Sequence, residues 1–189
     1  MRSHRYENRR LRLVAREVRG NDVLDIGYAQ SPNPALARFH TVGYDLARAD
    51  APGYAELVQG NAEQIDEVLG GRTFDTIVAG ELIEHLERPY DFLRRLPKIL
   101  APGGRVVLST PNPVGFPTAW FELTKSHRRF YERGHTYYFA PRWMERMLDN
   151  CDYRLLAMKP VGLWLPFGVV PWCPVTVSYQ IIYVAEPAR

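Results

Sequence analysis

The chain has 189 residues and a mass of 21.8 kDa, enough for one well-buried core, so we expect a single domain over residues 1–189. Hydrophobic residues make up 46% of the chain and charged residues 24%, a balance typical of globular proteins that excludes a largely disordered chain. A net charge of +3 falls short of the concentrated basic surface of a dedicated nucleic-acid binder. Nucleic acid is therefore not expected as a partner.

The two cysteines, Cys151 and Cys173, match no zinc-binding spacing and are too few for a disulfide scaffold, which predicts a cytoplasmic protein. Residues 1–20 are rich in arginine but contain no continuous apolar run, so no export signal is expected. The most apolar segment, residues 161–175, is interrupted by three prolines and is too short to span a bilayer. We expect no transmembrane segment.

Residues 5–19 place apolar side chains at helical spacing with arginines between them, which predicts an amphipathic helix whose arginines form its solvated face. Strands and helices then alternate, and Asn33 and Pro34 suit the cap and first residue of one helix. The alternation is typical of βαβ units. Strands are predicted near 22–26, 41–45, 55–59, 74–79 and 105–110, and helices near 34–40, 62–69 and 89–100.

Residues 111–140, rich in proline, aromatic residues and histidine, break this alternation and are interpreted as a substrate-side insertion. A further helix is predicted from Pro141, and strands near 153–159 and 177–184 can form an antiparallel pair. The predicted fold class is α/β: a three-layer α/β/α sandwich around a Rossmann-like, mostly parallel seven-stranded sheet with an antiparallel last strand.

The candidate ligand site lies where the first strands end, because ligands of open parallel sheets bind at the carboxyl ends of the strands. The segment VLDIG carries Asp25 and Gly27, and Asp45 follows 20 positions after Asp25, near the spacing at which an acid meets a ribose. Asn61, after the third strand, could pair with an adenine edge or cap the helix that follows, and both readings stay open. An adenosine-containing ligand is predicted.

The chain resembles the class I S-adenosylmethionine-dependent methyltransferases, especially the small quinone-biosynthesis and sugar-modifying members. The segment from Phe74 to Pro113 is far more specific than a lone glycine motif. The resemblance implies S-adenosyl-L-methionine as cofactor and methyl transfer to a small molecule or glycan precursor, with oxygen favoured as the acceptor atom. It rests on the motifs VLDIG, VGYD, VQGNAE, FDTIVAGELIEHLERP, LRRLPKILAPGGRVVLSTPNP and GHTYYFAPRWMERMLDN.

The resemblance also implies roles for residues of this site. Asp45 would hold the ribose, Asn61 and Ala62 would flank the adenine, and Asp25, Gly27 and Gly80 would line the methionine side. The full set expected to bind the cofactor is Asp25, Gly27, Tyr28, Ala29, Asp45, Leu46, Asn61, Ala62, Glu63, Gly80, Glu81 and Leu82.

The first loop departs from the glycine pattern of that family, because Ala29 and Ser31 stand where further glycines are usual. Alanine at a position that needs a positive φ would cost about 1 kcal/mol, so a different loop path and weaker cofactor binding are expected. A nicotinamide site would need glycine at Ala29 and Pro32, which disfavours a dehydrogenase.

Methyl transfer is an in-line displacement that mainly requires the acceptor to be held in position, and no metal is required. A hydroxyl acceptor gains from a general base, for which His85, His127 and His135 are the candidates. His85 follows the fourth strand and should face the cofactor cleft, while His135 suits a structural hydrogen bond better. The catalytic candidates retained are His85 and His135.

The insertion and the apolar segment 161–175 could together cover an acceptor pocket. Basic residues of the insertion suit an anionic acceptor, or they belong to an ordinary solvated loop: Lys125, Arg128, Arg129 and Arg133. Three aromatic side chains could instead form a homodimer surface or a membrane-touching patch: Trp164, Phe167 and Trp172. Two alternative functions stay open, a cofactor-binding partner module without catalysis and an RNA methyltransferase.

Overall fold

The computed structural model describes residues 3–116, 118–124, 135–165 and 168–188. His127, Phe167 and the four basic residues of the insertion lie outside the described residues. The helices are α1 (Ser3–Arg16), α2 (Ile65–Val68), α3 (Pro89–Arg95), α4 (Thr118–Thr124) and α5 (Pro141–Asp149). The strands are β1 (Asp22–Ile26), β2 (His40–Asp45), β3 (Glu56–Gln59), β4 (Phe74–Gly80), β5 (Leu100–Pro111), β6 (Tyr153–Pro160), β7 (Leu163–Leu165), β8 (Gly168–Val170) and β9 (Gln180–Pro187).

Seven strands form one sheet in the order β3-β2-β1-β4-β5-β9-β6. Strands β1 to β5 pair in parallel, whereas β9 runs antiparallel to both of its neighbours, β5 and β6. This confirms the predicted mostly parallel seven-stranded sheet with an antiparallel last strand. The winding direction reverses between β1 and β4, so their carboxyl ends flank the crevice where ligands of such sheets bind.

Apolar side chains cover both faces of the sheet. On one face, Val14 and Ala15 of α1 pack in a buried cluster with Val23 and Val78 of the sheet. On the other face, α3 and α5 supply buried side chains such as Phe92 to a larger cluster. Because each face is closed by apolar packing, the strands are buried on both sides and the three-layer arrangement follows.

The helix predicted near 34–40 is wrong, because only a single 3₁₀ turn forms there, at Pro34–Leu36. Asn33 caps this turn as expected, since its side-chain oxygen accepts a hydrogen bond from the Ala35 N–H at 3.1 Å. The carbonyl of Leu36 accepts from the Phe39 N–H at 3.0 Å and from the Thr41 hydroxyl at 2.7 Å. Those bonds satisfy the carbonyl without a helical partner and lead the chain directly into β2.

The apolar segment 161–175 contains a small antiparallel hairpin, β7–β8, outside the seven-stranded sheet. Leu163 pairs with Val170 and Trp164 with Val169. Among the described residues, no helix has the length and apolar character needed to cross a membrane.

Two buried tyrosines on neighbouring strands provide a matched test of this core. The Tyr153 hydroxyl donates a hydrogen bond to the Leu93 carbonyl at 2.8 Å, whereas the buried Tyr183 hydroxyl has no hydrogen-bond partner among the described residues. Tyr153→Phe should lower the free energy of unfolding by about 1 kcal/mol, and Tyr183→Phe should leave it unchanged or raise it. Urea unfolding of both variants measures the difference. Equal losses for the two variants would contradict this assignment.

Candidate functional site

The candidate site lies at the carboxyl ends of β1, β2 and β4. Gly27 follows β1 with a φ of +80°, which favours glycine, and its N–H donates to the Tyr44 carbonyl at 2.9 Å. The loop then makes a 3₁₀ turn over Tyr28–Gln30, and Ser31 has a φ of −154°. Because neither Ala29 nor Ser31 has a positive φ, the loop avoids the strain that these residues would cause on a glycine-type path.

Asp45, at the end of β2, fixes this loop from the neighbouring strand. One carboxylate oxygen accepts the Ala29 N–H at 2.9 Å and the other accepts the Ala47 N–H at 2.9 Å. Each oxygen of a carboxylate has a second acceptor position. The half-buried Asp45 can therefore accept two ligand hydroxyls in addition to the loop. The next side chain, Leu46, is 66% exposed and offers an apolar surface beside it.

The residues after β3 lie beside Asp45, because β3 pairs with β2 at Asp45↔Gln59. The Asn61 side-chain oxygen accepts the Glu63 N–H at 2.9 Å, so the capping interpretation is confirmed for this atom. The Asn61 carbonyl also accepts from the Tyr44 hydroxyl at 3.0 Å. Ala62 is buried, and Glu63 accepts the Arg88 N–H at 2.6 Å. These bonds fix the backbone at this edge of the site.

Asp25 and Tyr28 support the loop from beneath. The buried Asp25 carboxyl accepts a short hydrogen bond from the Tyr54 hydroxyl, and the Tyr54 oxygen accepts the Asn33 N–H at 3.0 Å. The Tyr28 ring is 2% exposed and lies 5.9 Å from the Tyr54 ring. Burial raises the pKa of Asp25 to about 6, while the Tyr54 hydrogen bond and the charge of Arg10 oppose this rise.

Arg10 corrects the sequence-based prediction that all arginines of α1 are solvated. Its side chain is buried, donates to the Ser109 hydroxyl at 3.1 Å and forms an ion pair with Glu7. A Cβ added to Gly80 would lie 2.5 Å from the Arg10 Nη1, so a larger residue at the end of β4 would displace the guanidinium from its present position. Burial lowers the pKa of Arg10, but the nearby carboxylates of Glu81 and Glu7 together raise it by a larger amount. The net shift of the Arg10 pKa is therefore upward.

Glu81 follows β4 in a conformation that non-glycine residues rarely adopt, with a φ of +54°. Its N–H donates to the Ser109 carbonyl at 2.9 Å. Its carboxyl oxygens accept from the Ser109 hydroxyl at 3.2 Å and from the Gln180 amide at 2.7 Å. Such strain persists only where the surroundings enforce it, and it is concentrated at functional sites. Leu82 lies over Gly27 and closes this side of the loop.

The two catalytic candidates come together, although they are 50 positions apart in sequence. The rings of His85 and His135 lie 4.6 Å apart, nearly edge to face. The Glu84 carbonyl accepts the N–H groups of Thr136 and Tyr137 at 2.9 and 3.2 Å, which draws the 135–137 segment to the end of β4. Because His85 is exposed and His135 half-buried, the pair borders the cleft from the side of β4.

Glu84 is a site residue that sequence reasoning missed. Its carboxyl is buried, and its oxygens have no hydrogen-bond partner in the part of the chain that the structure describes. Burial and the neighbouring Glu81 charge raise its pKa well above the usual range. A carboxylate oxygen of Glu84 and ring nitrogens of His85 and His135 lie within 4.8 Å of one another, a spacing at which they could ligate one metal ion. The expectation that no metal is required stays a prediction.

The structure brings most of the expected residues to one edge of the sheet, but their structural roles differ. Gly27, Asp45 and Leu46 face the crevice, while Asp25 and Tyr28 support the loop. Sequence reasoning also missed Arg10, Ser109 and Gln180 because each lies on an element distant in sequence. The only available signal was the arginine-rich helix, whose spacing does not distinguish Arg10 from its exposed neighbours.

The strand order, the switch point and an acid at the end of β2 define a Rossmann-like α/β protein with an adenosine-type site. A family model described as a methyltransferase domain matches residues 1–158. The chain therefore belongs to the class I S-adenosylmethionine-dependent methyltransferases, as the sequence motifs predicted. S-adenosylmethionine is the cofactor of this family. The Asp45 oxygens, each able to accept a further hydrogen bond, and the exposed apolar Leu46 fit its ribose and its adenine.

Known proteins agree with this assignment. The chain is 34% identical over 107 residues to a mitochondrial ubiquinone biosynthesis O-methyltransferase of Schizosaccharomyces pombe, a match covering 48% of this chain and 38% of the relative. The chain thus spans about two-fifths of that relative's length. An Archaeoglobus fulgidus SAM-dependent methyltransferase superposes with a TM-score of 0.70 at 16% identity, covering 94% of this chain and 91% of that chain. A Burkholderia thailandensis 1,6-didemethyltoxoflavin-N1-methyltransferase with bound S-adenosylhomocysteine gives 0.66 at 13% identity, covering 95% and 78%.

The raised pKa of Asp25 predicts a pH-dependent stability. The folded protein binds more protons than the unfolded chain between the ordinary pKa, near 4, and about 6, so the free energy of unfolding falls as pH rises through this range. Asp25→Asn removes this effect. Relative to wild type, the variant should gain up to about 3 kcal/mol between pH 4 and pH 7.

Urea unfolding at several pH values tests this expectation, with the exposed Asp50→Asn as a control for the amide substitution itself. A difference between Asp25→Asn and wild type that stays constant with pH, or that grows toward acid pH, would contradict it.

Proposed function

We propose that this chain binds S-adenosylmethionine across the carboxyl ends of β1, β2 and β4 and transfers its methyl group to an oxygen of a small-molecule acceptor. The single observation that carries the cofactor half is Asp45. Its two oxygens are already held by the Ala29 and Ala47 N–H groups, so the carboxylate is fixed in one orientation at the end of β2, next to the strand that borders the switch point.

The cofactor would occupy this edge in a definite direction. The ribose hydroxyls would donate to Asp45, and the adenine would lie against Leu46 and the Asn61–Ala62 backbone. The methionine end would then extend over Gly27 toward Gly80.

S-adenosylmethionine supplies a methyl group on a positively charged sulfur. The protein must hold the acceptor oxygen in line with the breaking bond and accept the proton of a hydroxyl acceptor. We assign the proton acceptor to His85, because it is exposed at the end of β4, beside the methionine end. His135 lies against the His85 ring and holds its orientation.

The preference for oxygen is supported by the relative from Schizosaccharomyces pombe, whose name describes an O-methyltransferase. The acceptor class that fits is a small hydroxylated molecule, aromatic or sugar-like. The aromatic residues around α4 and β7 support it, since the Phe121 and Trp164 rings lie 6.4 Å apart beyond the end of β5.

Isothermal titration calorimetry with S-adenosylhomocysteine tests the cofactor half. Asp45→Asn should weaken binding about 10- to 100-fold, because one acceptor oxygen becomes a donor group that faces the ribose or the loop N–H. Asp50→Asn, five residues further along the same loop, is the matched control and should bind like wild type. A folded wild-type protein that fails to bind at millimolar S-adenosylhomocysteine would overturn the proposal.

Product formation from a panel of aromatic and sugar hydroxyl acceptors tests the transfer half. His85→Ala should lower kcat about 100-fold or more while leaving the Kd for S-adenosylhomocysteine unchanged, because the base acts only in the chemical step.

Two controls separate the roles at this site. His135→Ala should reduce kcat less than His85→Ala, since it acts through the neighbouring ring. EDTA should leave the wild-type rate unchanged if the histidine alone accepts the proton. Binding of S-adenosylhomocysteine without methylation of any acceptor would favour the cofactor-binding module without catalysis.

A further inference from the structure

Exposed apolar side chains are concentrated on one region of the described chain. More than half of the large exposed apolar residues belong to α4, the β7–β8 hairpin and the turns beside them, and two of them protrude almost completely, Leu123 at 85% and Trp172 at 88% exposure. Monomeric globular proteins rarely expose this much contiguous apolar surface without a partner. The residues are Val114, Phe116, Trp120, Leu123, Trp164, Val170, Trp172 and Val177.

Two contacts connect the elements that carry these side chains. The Phe116 N–H donates to the Val177 carbonyl at 3.2 Å, which joins the start of α4 to the turn before β9. The Phe121 ring of α4 lies 6.4 Å from the Trp164 ring of β7.

Arginines of α1 border the same surface. Arg9 donates to the Val161 carbonyl at 2.6 Å and to the Pro171 carbonyl at 3.1 Å, which places it at the base of the hairpin and next to Trp172. Arg12 and Arg16 share a groove with Arg9 and are exposed. At 1.5 Å per residue, the three guanidiniums extend roughly 10 Å along the helix.

We propose that this arginine–tryptophan face, made of the Arg9–Arg12–Arg16 side of α1, the β7–β8 hairpin with the turn to Trp172, and α4, docks on an anionic lipid bilayer. Tryptophan suits the boundary between headgroups and acyl chains because its ring is apolar and its N–H is polar. Arginines beside it attract anionic headgroups. Docking on lipid does not depend on methyl transfer. An experiment can therefore disprove one of the two proposals and leave the other standing.

Charge complementarity selects an anionic bilayer over a second copy of the chain. In a symmetric dimer built on this face, the same patch meets itself, and Arg12 and Arg16 would approach arginines of the other copy. The carboxylates nearest to this side of α1 already have partners, Glu7 with Arg10 and Glu17 with Lys159. Among the described side chains, this side of α1 therefore offers exposed positive charge from Arg12 and Arg16, which suits anionic headgroups.

Vesicle sedimentation tests the proposal with the full chain. The protein should bind vesicles that contain about one-third phosphatidylglycerol, bind pure phosphatidylcholine weakly, and dissociate as NaCl increases. Arg12→Gln/Arg16→Gln should weaken binding about 25-fold, because each arginine near an anionic surface contributes about a fivefold factor. Trp172→Ser should weaken binding while leaving S-adenosylhomocysteine binding unchanged.

The chain offers matched controls on the opposite face of the sheet. Trp143 in α5 is 65% exposed and Arg94 in α3 is also exposed, yet both helices pack on the other side of the sheet from α1. Trp143→Ser and Arg94→Gln should bind vesicles like wild type. Circular dichroism of every variant establishes that it is folded.

Two outcomes would overturn the docking proposal. One is a folded wild-type protein that does not bind anionic vesicles at low salt. The other is binding that Trp143→Ser reduces as much as Trp172→Ser. Sedimentation velocity without lipid measures whether the chain dimerises. If wild type does not bind vesicles and forms a dimer that Trp172→Ser dissociates, the docking proposal is overturned and this face is assigned to a second copy of the chain.

Discussion

The buried guanidinium of Arg10 is the interaction on which the candidate site depends. It joins α1 to β4 and β5 through Gly80 and Ser109, while its partner Glu7 accepts a hydrogen bond from the Ser31 hydroxyl in the first loop. A buried cation is costly unless carboxylates and hydrogen-bond acceptors surround it. Here Glu7, Glu81 and Asp25 provide those charges. One buried network therefore joins α1, the first loop and the end of β4.

The first loop compensates for its missing glycines in a related way. Ser31 is tied to Glu7, Ala29 to the Asp45 carboxylate, and Asn33 to the Tyr54 hydroxyl, so side chains fix a path that glycine-rich loops take through backbone freedom alone. The loop is thus held before any ligand arrives. Preorganisation of this kind lowers the entropic cost of binding and offsets the loss of close backbone approach at these two positions.

Helix α4 follows the carboxyl end of β5, and the β7–β8 hairpin follows β6, which runs parallel to β5 through their shared neighbour β9. A surface that docks there would place the acceptor entrance close to the bilayer. Two neighbouring arginines of α1 make different contacts. Arg10 points into the protein and donates to Ser109, whereas Arg9 donates to the Val161 carbonyl at the base of the hairpin. Adjacent positions on one helix thereby take part in different sites.

The sequence by itself determined the mostly parallel seven-stranded sheet with its antiparallel last strand, and the family, since buried strands, their spacing and turn residues are encoded locally. The strand order came from the tertiary structure, and the role of Asp45 at the ribose stays a prediction. The sequence pattern overestimated the helix after Asn33, because the carbonyl of Leu36 finds partners in the Phe39 N–H and the Thr41 hydroxyl. Only the tertiary structure decided which arginine of α1 is buried, how Glu84 loses contact with water, and that His85 meets His135. These depend on contacts between elements far apart in sequence, where packing rather than local periodicity sets each side chain's surroundings.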